Sequence, residues 1–147
     1  MDSKKIIGNA IITTALGIIV LRSKKVKLVY LDQLPSFIHE FVKLHFSTRR
    51  ILKAVQHRKL FNGTYEVLLD GEIRLAFNKR GQLIEIEGNS KLPNSVIPSK
   101  ILDFIAINYP DNVIIEWELE KKYQEIELDS GLELIFDLNG EFLGLDY

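Results

Sequence analysis

The segments LPSFIHEFVKLHF (residues 34–46) and IPSKILDFIAINY (residues 97–109) decide the fold, because they match each other at a displacement of 63. The second residue of each is proline, which suits a helix start because no N–H partner is needed there and φ is already helical. Apolar residues then recur at helical spacing, so each segment predicts one amphipathic helix. The matching stripes are Ile38, Phe41, Val42 and His45 in the first segment and Ile101, Phe104, Ile105 and Asn108 in the second.

The match continues after the helices at a displacement of 59. Apolar and polar residues alternate there, which is the period of β-strands, and glycine-containing turns separate the runs. The residues in register are Glu66, Val67, Leu69, Asp70, Ile73, Leu75, Phe77, Gly81 and Leu83 with Glu125, Ile126, Leu128, Asp129, Leu132, Leu134, Phe136, Gly140 and Phe142. The pattern predicts two consecutive units, residues 34–96 and 97–147, each with one helix followed by four strands.

These units predict an α+β fold. Each tandem unit is a helix plus an antiparallel meander, and the two together form one curved sheet of about eight strands with the helices on one face. An antiparallel sheet of this kind buries one face and leaves the other in water. Trp117 alternates with glutamates and is predicted to point inward, into the core.

Residues 1–33 precede the repeat and are interpreted as an apolar leader with a linker. Lys4 and Lys5 come before the uncharged stretch Ile6–Leu21, and more basic residues follow it. This order is typical of a signal peptide, although the stretch is also close to the length of a membrane anchor. The expected location is periplasmic or secreted, with anchoring by residues 6–21 as the alternative. An ordinary buried core element is also compatible with the segment.

Composition excludes several classes of site. The 147 residues include no cysteine, which removes disulfides, thiolate metal sites and cysteine nucleophiles. The net charge of −1 conceals a gradient, because residues 1–60 carry +9 and residues 101–147 carry −10. This gradient does not predict a nucleic-acid partner, since a basic groove needs its lysines on one surface.

The strongest candidate for a functional surface is a stripe of glutamates at alternate strand positions, which should project from the uncovered sheet face. It consists of Glu116, Glu118, Glu120, Glu125, Glu127 and Glu133. The equivalent positions of the first unit are mixed in character: Lys53, Val55, His57, Glu66, Leu68 and Arg74. The stripe predicts attraction to another protein with a basic surface. The alternative is that these charges only keep the sheet solvated and prevent aggregation.

Catalysis and cofactor binding are not predicted. No nucleophile elbow, phosphate loop, dinucleotide motif or zinc-protease motif is present. His39 and His45 do not share a helix face at ligand spacing, and His57 is predicted to be partly exposed at a strand end. The segment 137–141 resembles part of a calcium loop but lacks its ligand spacing, so it is interpreted as a turn. No metal site and no cofactor is expected.

The chain resembles the PepSY-like family, also described as β-lactamase-inhibitor-like. The matching elements are Leu34-Pro35-Ser36, Tyr65-Glu66-Val67 and Asp70-Gly71-Glu72-Ile73 in the first unit, and Ile97-Pro98-Ser99, Asp129-Ser130-Gly131-Leu132-Glu133 and Leu145-Asp146-Tyr147 in the second. The resemblance implies a small exported bacterial protein without known catalysis. The expected function is therefore non-catalytic binding or inhibition in the cell envelope through the open sheet face. The alternative is an assembly protein that self-associates through its basic and acidic halves.

Overall fold

The computed structural model describes residues 12–13, 18–19, 26–57 and 63–146. The predicted leader, residues 6–21, lies outside the described residues except for strands β1 (Ile12–Thr13) and β2 (Ile18–Ile19), which pair with each other in antiparallel fashion. Whether this segment is a signal peptide or an anchor therefore stays a prediction.

The remaining elements form one open, nine-stranded antiparallel sheet and two helices, which confirms the α+β class. The helices are α1 (Ser36–His45) and α2 (Ser99–Asn108). The strands are β3 (Val26–Leu28), β4 (Ile51–His57), β5 (Thr64–Leu69), β6 (Ile73–Phe77), β7 (Leu83–Glu87), β8 (Ile114–Leu119), β9 (Tyr123–Leu128), β10 (Glu133–Asp137) and β11 (Phe142–Asp146). They lie side by side in chain order, so every neighbour in the sheet is also the neighbour in sequence.

Proline starts both helices in the same way. Pro35 and Pro98 are the N-cap residues, with φ of −54° and −55°, so each helix begins one residue later than the sequence pattern indicated. At the other end the backbone N–H of Phe46 donates to Val42 O and that of Tyr109 donates to Ile105 O, both at 2.8 Å.

The core lies between the helices and one face of the sheet. Ile38 and Val42 of α1 and Ile101 and Ile105 of α2 are buried in the same apolar cluster as the strands. On the sheet side, the core is lined by one row of residues that are direct partners on neighbouring strands. They are Ala54, Val67, Leu75, Ile86, Trp117, Ile126 and Leu134.

Trp117 lies in this core, as its alternation with glutamates predicted. It is 7% exposed, and its indole Nε1–H donates to Gln124 Oε1 at 2.9 Å. The buried indole N–H therefore has a partner, as such a group requires.

Irregularities of the strands recur at the displacements found in the sequence. The pairing register shifts between residues 51 and 53 of β4 and between 114 and 116 of β8. It shifts again between residues 76 and 77 of β6 and between 135 and 136 of β10. Such β-bulges bend a strand and increase its twist, so both halves of the sheet are bent at matching places.

Two turn carboxylates also occupy matching places. Asp70 Oδ1 accepts the backbone N–H of Arg50 at 2.7 Å, and Asp129 Oδ1 accepts that of Val113 at 3.1 Å. Each carboxylate thereby connects the turn after one strand to the start of the strand that immediately precedes it in the chain.

Candidate binding face

Residues on either side of the core row point to the opposite face of the sheet, because side chains alternate along a strand. Glu85 and Glu87 flank Ile86 in this way. We call this surface, which faces away from α1 and α2, the non-helical face.

Eight carboxylates lie on the non-helical face in two continuous rows, which we call the carboxylate rows. In the longer row, each residue is the direct partner of the next on five consecutive strands: Glu87, Glu116, Glu127, Glu133 and Asp146. The shorter row runs across three strands through Glu85, Glu118 and Glu125.

Five of the six glutamates proposed from the sequence belong to these rows. They are Glu116, Glu118, Glu125, Glu127 and Glu133, and each is half-buried. Glu120 follows the end of β8, where its backbone N–H donates to Tyr123 O at 2.9 Å, so it lies in the turn beyond the rows.

The sequence analysis missed Glu85, Glu87 and Asp146. The signal was present for the first two, since Ile84-Glu85-Ile86-Glu87 has the same alternation as the second unit. Asp146 lacks that signal, because Gly144 stands two residues before it, where alternation along β11 would require another polar residue.

The rows place like charges directly opposite one another, which is destabilising in a sheet. Neighbouring strands are about 4.8 Å apart, so each carboxylate has another within close Coulombic range. A surface of this kind attracts cations and basic protein segments from solution.

Three carboxylates at the β11 edge come especially close together. One oxygen from each of Glu125, Glu133 and Asp146 lies within 4.8 Å of the others. Oxygen ligands of this type suit hard cations such as Ca²⁺.

A second set of charged side chains lies on the same face toward the first half of the sheet, and we call it the buried charge cluster. Its members are His57, Glu66, Arg74, Glu85 and Glu87. The distance from His57 Nε2 to Glu66 Oε2 is 3.1 Å, and that from Arg74 Nη1 to Glu66 Oε1 is 3.9 Å. Arg74 donates from Nε and Nη2 to Glu87 Oε2 at 3.0 and 2.6 Å, and from Nη2 to Glu85 Oε1.

Burial decides the electrostatics of this cluster. Glu66 is 2% exposed and Glu85 is 7% exposed. Burial raises the pKa of Glu85; Arg74 opposes this, while Glu118 and Glu66 add to it, and the result is an upward shift. Burial alone lowers the pKa of Arg74, but the charges of Glu85 and Glu87 outweigh it and raise that pKa.

Two sequence-based expectations about this region are wrong. His57 is 6% exposed, so it is not a partly exposed histidine; it lies on a strand inside the sheet, beside the buried Glu66 carboxylate. The first half of the non-helical face is also not open, since Val55 is fully buried and Ala76 is 3% exposed. Alternation alone identified the face of these residues but not their burial.

The other histidines and the calcium-like segment have local roles. His39 Nε2 lies 3.0 Å from Leu31 O, and His45 Nδ1 lies 2.8 Å from Ser95 Oγ. Burial lowers the pKa of His45. Asp137 Oδ1 accepts the backbone N–H groups of Asn139 and Glu141, both at 2.8 Å, which is the geometry of a turn.

A shallow cleft of about 670 Å³ lies on the helical side, beside the start of α2. Trp117, Leu119 and Gln124 contribute to it from the sheet, and Ser99 and Lys100 from the helix. No carboxylate and no histidine is among its lining residues in the described part of the chain.

Comparison with known families gives one matching profile, described as "Putative beta-lactamase-inhibitor-like, PepSY-like". It matches residues 19–85 and again residues 63–144. The two overlapping matches are consistent with a tandem arrangement. No curated protein matches the chain.

Three solved structures resemble the fold over most of their lengths. A "putative calcium-regulated periplasmic protein" from Bacteroides thetaiotaomicron is 28% identical, with a TM-score of 0.77, and the match covers 83% of this chain and 97% of that one. Two periplasmic proteins from Bacteroides vulgatus, one from the DUF2874 family and one described as of unknown function, are 28% and 30% identical. Both have TM-scores of 0.78, and the matches cover 85% and 83% of this chain and 99% of each of theirs.

The two helices of ten residues are the longest in the described part of the chain, and none there has the length and apolarity to cross a membrane.

Proposed function

The chain belongs to the PepSY-like, β-lactamase-inhibitor-like family, and from this premise we propose that it is a non-catalytic binding module of the cell envelope, periplasmic or secreted, that binds a basic protein partner through its non-helical face. The periplasmic descriptions of its structural relatives support the location. The observation that carries the proposal is the pair of carboxylate rows.

The rows supply both attraction and orientation for a basic partner. Directly opposite carboxylates destabilise the isolated sheet, and a partner that brings positive charge relieves this repulsion on binding. Because the rows occupy only the second half of the face, they orient the partner toward β7–β11.

The arrangement gives little support to a hydrolase. General acid–base chemistry needs a carboxyl group with a shifted pKa beside a site that excludes water. The carboxyl of Glu85 has a raised pKa, but Arg74 holds it on the non-helical face, on the other side of the sheet from the cleft.

We also propose that the two halves arose as a tandem repeat of one helix and one four-stranded meander. The matching N-cap prolines, bulges and turn carboxylates support this. The sheet continues without interruption from β4 to β11, because the last strand of the first unit, β7, pairs with the first strand of the second unit, β8.

A charge-reversal experiment tests the binding proposal. The face variant replaces Glu116, Glu118 and Glu127 by lysine. The control variant also introduces three lysines, at Glu40, Asp103 and Asp111, which are exposed outside the sheet. Both variants change the net charge equally. After chemical crosslinking in an envelope extract, we expect the control to retain the partners of the wild type and the face variant to lose them. Equal recovery by both variants would contradict the proposal.

Sedimentation velocity separates this proposal from self-association through the basic and acidic halves. We expect a monomer at both low and high salt. A dimer at low salt that dissociates at high salt would favour the assembly function instead, because salt screens such an association.

A calcium response is a second candidate function. It is favoured by the close approach of Glu125, Glu133 and Asp146 and by the description of one relative as calcium-regulated. Three carboxylates fall short of the six to eight oxygens that Ca²⁺ takes, so water completes the shell and the expected affinity is weak, of order 10⁻⁴–10⁻³ M. Addition of about 5 mM Ca²⁺ should raise the melting temperature of the wild type but not of Glu133→Gln. An equal rise in both proteins would exclude this trio.

A further inference from the structure

The buried charge cluster contains more negative than positive groups. Glu66, Glu85 and Glu87 surround the guanidinium of Arg74, and His57 is the only other cationic candidate among the members of the cluster. Even with a protonated imidazole, the cluster retains one negative charge in excess. An unbalanced charge is costly when it is withdrawn from water, so the cluster has a physical reason to take up a proton.

The strands packed on either side do not correct the imbalance at Glu85. Its direct partner on β8 is Glu118, which adds a second carboxylate, and its direct partner on β6 is the uncharged Ala76. On the strands that pair with β7, the charged groups of the same face are Arg74 on β6 and Glu116 and Glu118 on β8, and Glu87 is the one on β7 itself. Glu66 lies on the same face one strand further away, on β5, and Lys53 and His57 lie two strands further away, on β4.

We propose that Glu85 is a proton-binding site through which pH regulates the charge of the non-helical face. When solvent supplies the proton, the Glu85 carboxylate becomes a neutral carboxyl group. Arg74 keeps its two hydrogen bonds to Glu87 Oε2, so the contact between β6 and β7 persists. The shorter carboxylate row then loses one of its three charges.

Protonation of Glu85 and binding of a basic partner to the non-helical face oppose each other. In this respect the inference rests on the proposed function, because it requires that the partner is attracted by the rows. By linkage, a proton on Glu85 weakens binding of the partner, and the bound partner favours release of the proton by the same factor.

The direction of the effect on stability follows from the upward shift of the pKa of Glu85. The native state binds this proton more tightly than the unfolded chain does. Stability from this group is therefore present at low pH and is lost as pH rises from the ordinary glutamate range, near 4.3–4.5, through the raised pKa.

Thermal unfolding from pH 7.5 down to pH 4.5, the ordinary glutamate range, tests the proton site without any partner. We expect the melting temperature of the wild type to rise by roughly 2–4 °C as pH falls over this range. Glu85→Gln should lose this rise, whereas Glu40→Gln, on the exposed side of α1, should keep it. An undiminished rise in Glu85→Gln overturns the proposal. If that variant does not fold, Glu118→Gln serves instead and should move the rise to lower pH.

Binding of a synthetic decalysine peptide tests the coupling. Calorimetry should show about threefold weaker binding by the wild type below the pH at which the thermal measurement detects proton uptake than above it, since one nearby unit charge has been removed. Glu85→Gln should bind almost equally on both sides of that pH. Wild-type binding that does not change with pH overturns the coupling. Absence of binding at every pH overturns the coupling and the proposed function together, while the thermal measurement still decides whether Glu85 takes up the proton.

Discussion

Replacement of Glu127 by glutamine should stabilise the fold. Glu127 is the direct partner of Glu116 on β8 and of Glu133 on β10, so it lies at the middle of the longer carboxylate row. Directly opposite side chains in an antiparallel pair are about 5 Å apart, and two like charges at that distance in water repel by about 0.8 kcal/mol. The amide removes both repulsions while keeping the size of the side chain. We expect the free energy of unfolding to rise by about 1 kcal/mol at low ionic strength.

Urea unfolding at pH 7, followed by circular dichroism, measures this effect at 10 mM and at 1 M NaCl. The Debye length falls from about 30 Å to about 3 Å between these conditions, so the gain should shrink to about 0.3 kcal/mol in high salt. Glu40→Gln is the matched control, because Glu40 is exposed on α1 and has no partner position in the rows. If Glu127→Gln is destabilising at low salt, or if its gain is independent of salt, repulsion between the rows is not the cause.

Two further predictions concern the turns. Gly131 and Gly140 both have positive φ, but a Cβ at Gly140 would lie 3.0 Å from Lys100 Cβ while one at Gly131 would meet nothing within 4 Å. Gly131→Ala should cost about 1–2 kcal/mol in urea unfolding and Gly140→Ala more, and equal costs would exclude the lysine contact as a cause. Hydrogen bonds from the Asn112 side chain and the Val113 backbone lower the pKa of Asp129, so its stabilising contribution is present at neutral pH and lost as pH falls below about 4. Unfolding of Asp129→Asn should therefore approach that of the wild type as pH falls from 7 to 3, and a constant difference between them would contradict this reading.

The sequence was sufficient to predict the face on which Glu116, Glu118, Glu125, Glu127 and Glu133 lie, but not that Glu120 lies in a turn or that Asp146 joins them. Alternation of Glu116, Trp117 and Glu118 determines their sides of a strand, because the side-chain period is two. The same reasoning could not predict the burial of His57 or Glu66. Burial depends on what packs against a face, and a polar residue on the face away from the helices has the same sequence pattern whether it is solvated or paired.

The rows themselves were only partly predictable for a related reason. A row runs across strands, so its members are set by register, and each bulge changes the register by one residue. The bulge between residues 114 and 116 leaves Glu116 opposite Glu127 and brings it into line with Glu87. Sequence comparison detected the displacement of the two halves but contains no measure of where a strand bulges.

Comparison of the two halves within the chain separates what holds the fold from what distinguishes its surface. The backbone features recur: both halves begin their helices after a proline, and the strands of both halves have β-bulges at equivalent places. The non-helical face does not recur. At five equivalent positions the second half has glutamate and the first half has another residue. The first-half residues are Lys53, Val55, His57, Leu68 and Arg74, which correspond in order to Glu116, Glu118, Glu120, Glu127 and Glu133.

Only one of these six face positions keeps its residue type, with Glu66 in the first half and Glu125 in the second. Their surroundings differ, because Glu66 is buried beside His57 and Arg74 while Glu125 is half-buried beside Glu118. A glutamate at this position thus belongs to a buried charge cluster in one half and to a carboxylate row in the other. The first half shows that the same backbone accepts mixed charges at these positions, so the backbone does not require a row of carboxylates there. The non-helical face is therefore where the two halves differ most, and the proposed binding of a basic partner uses the half that carries the carboxylate rows.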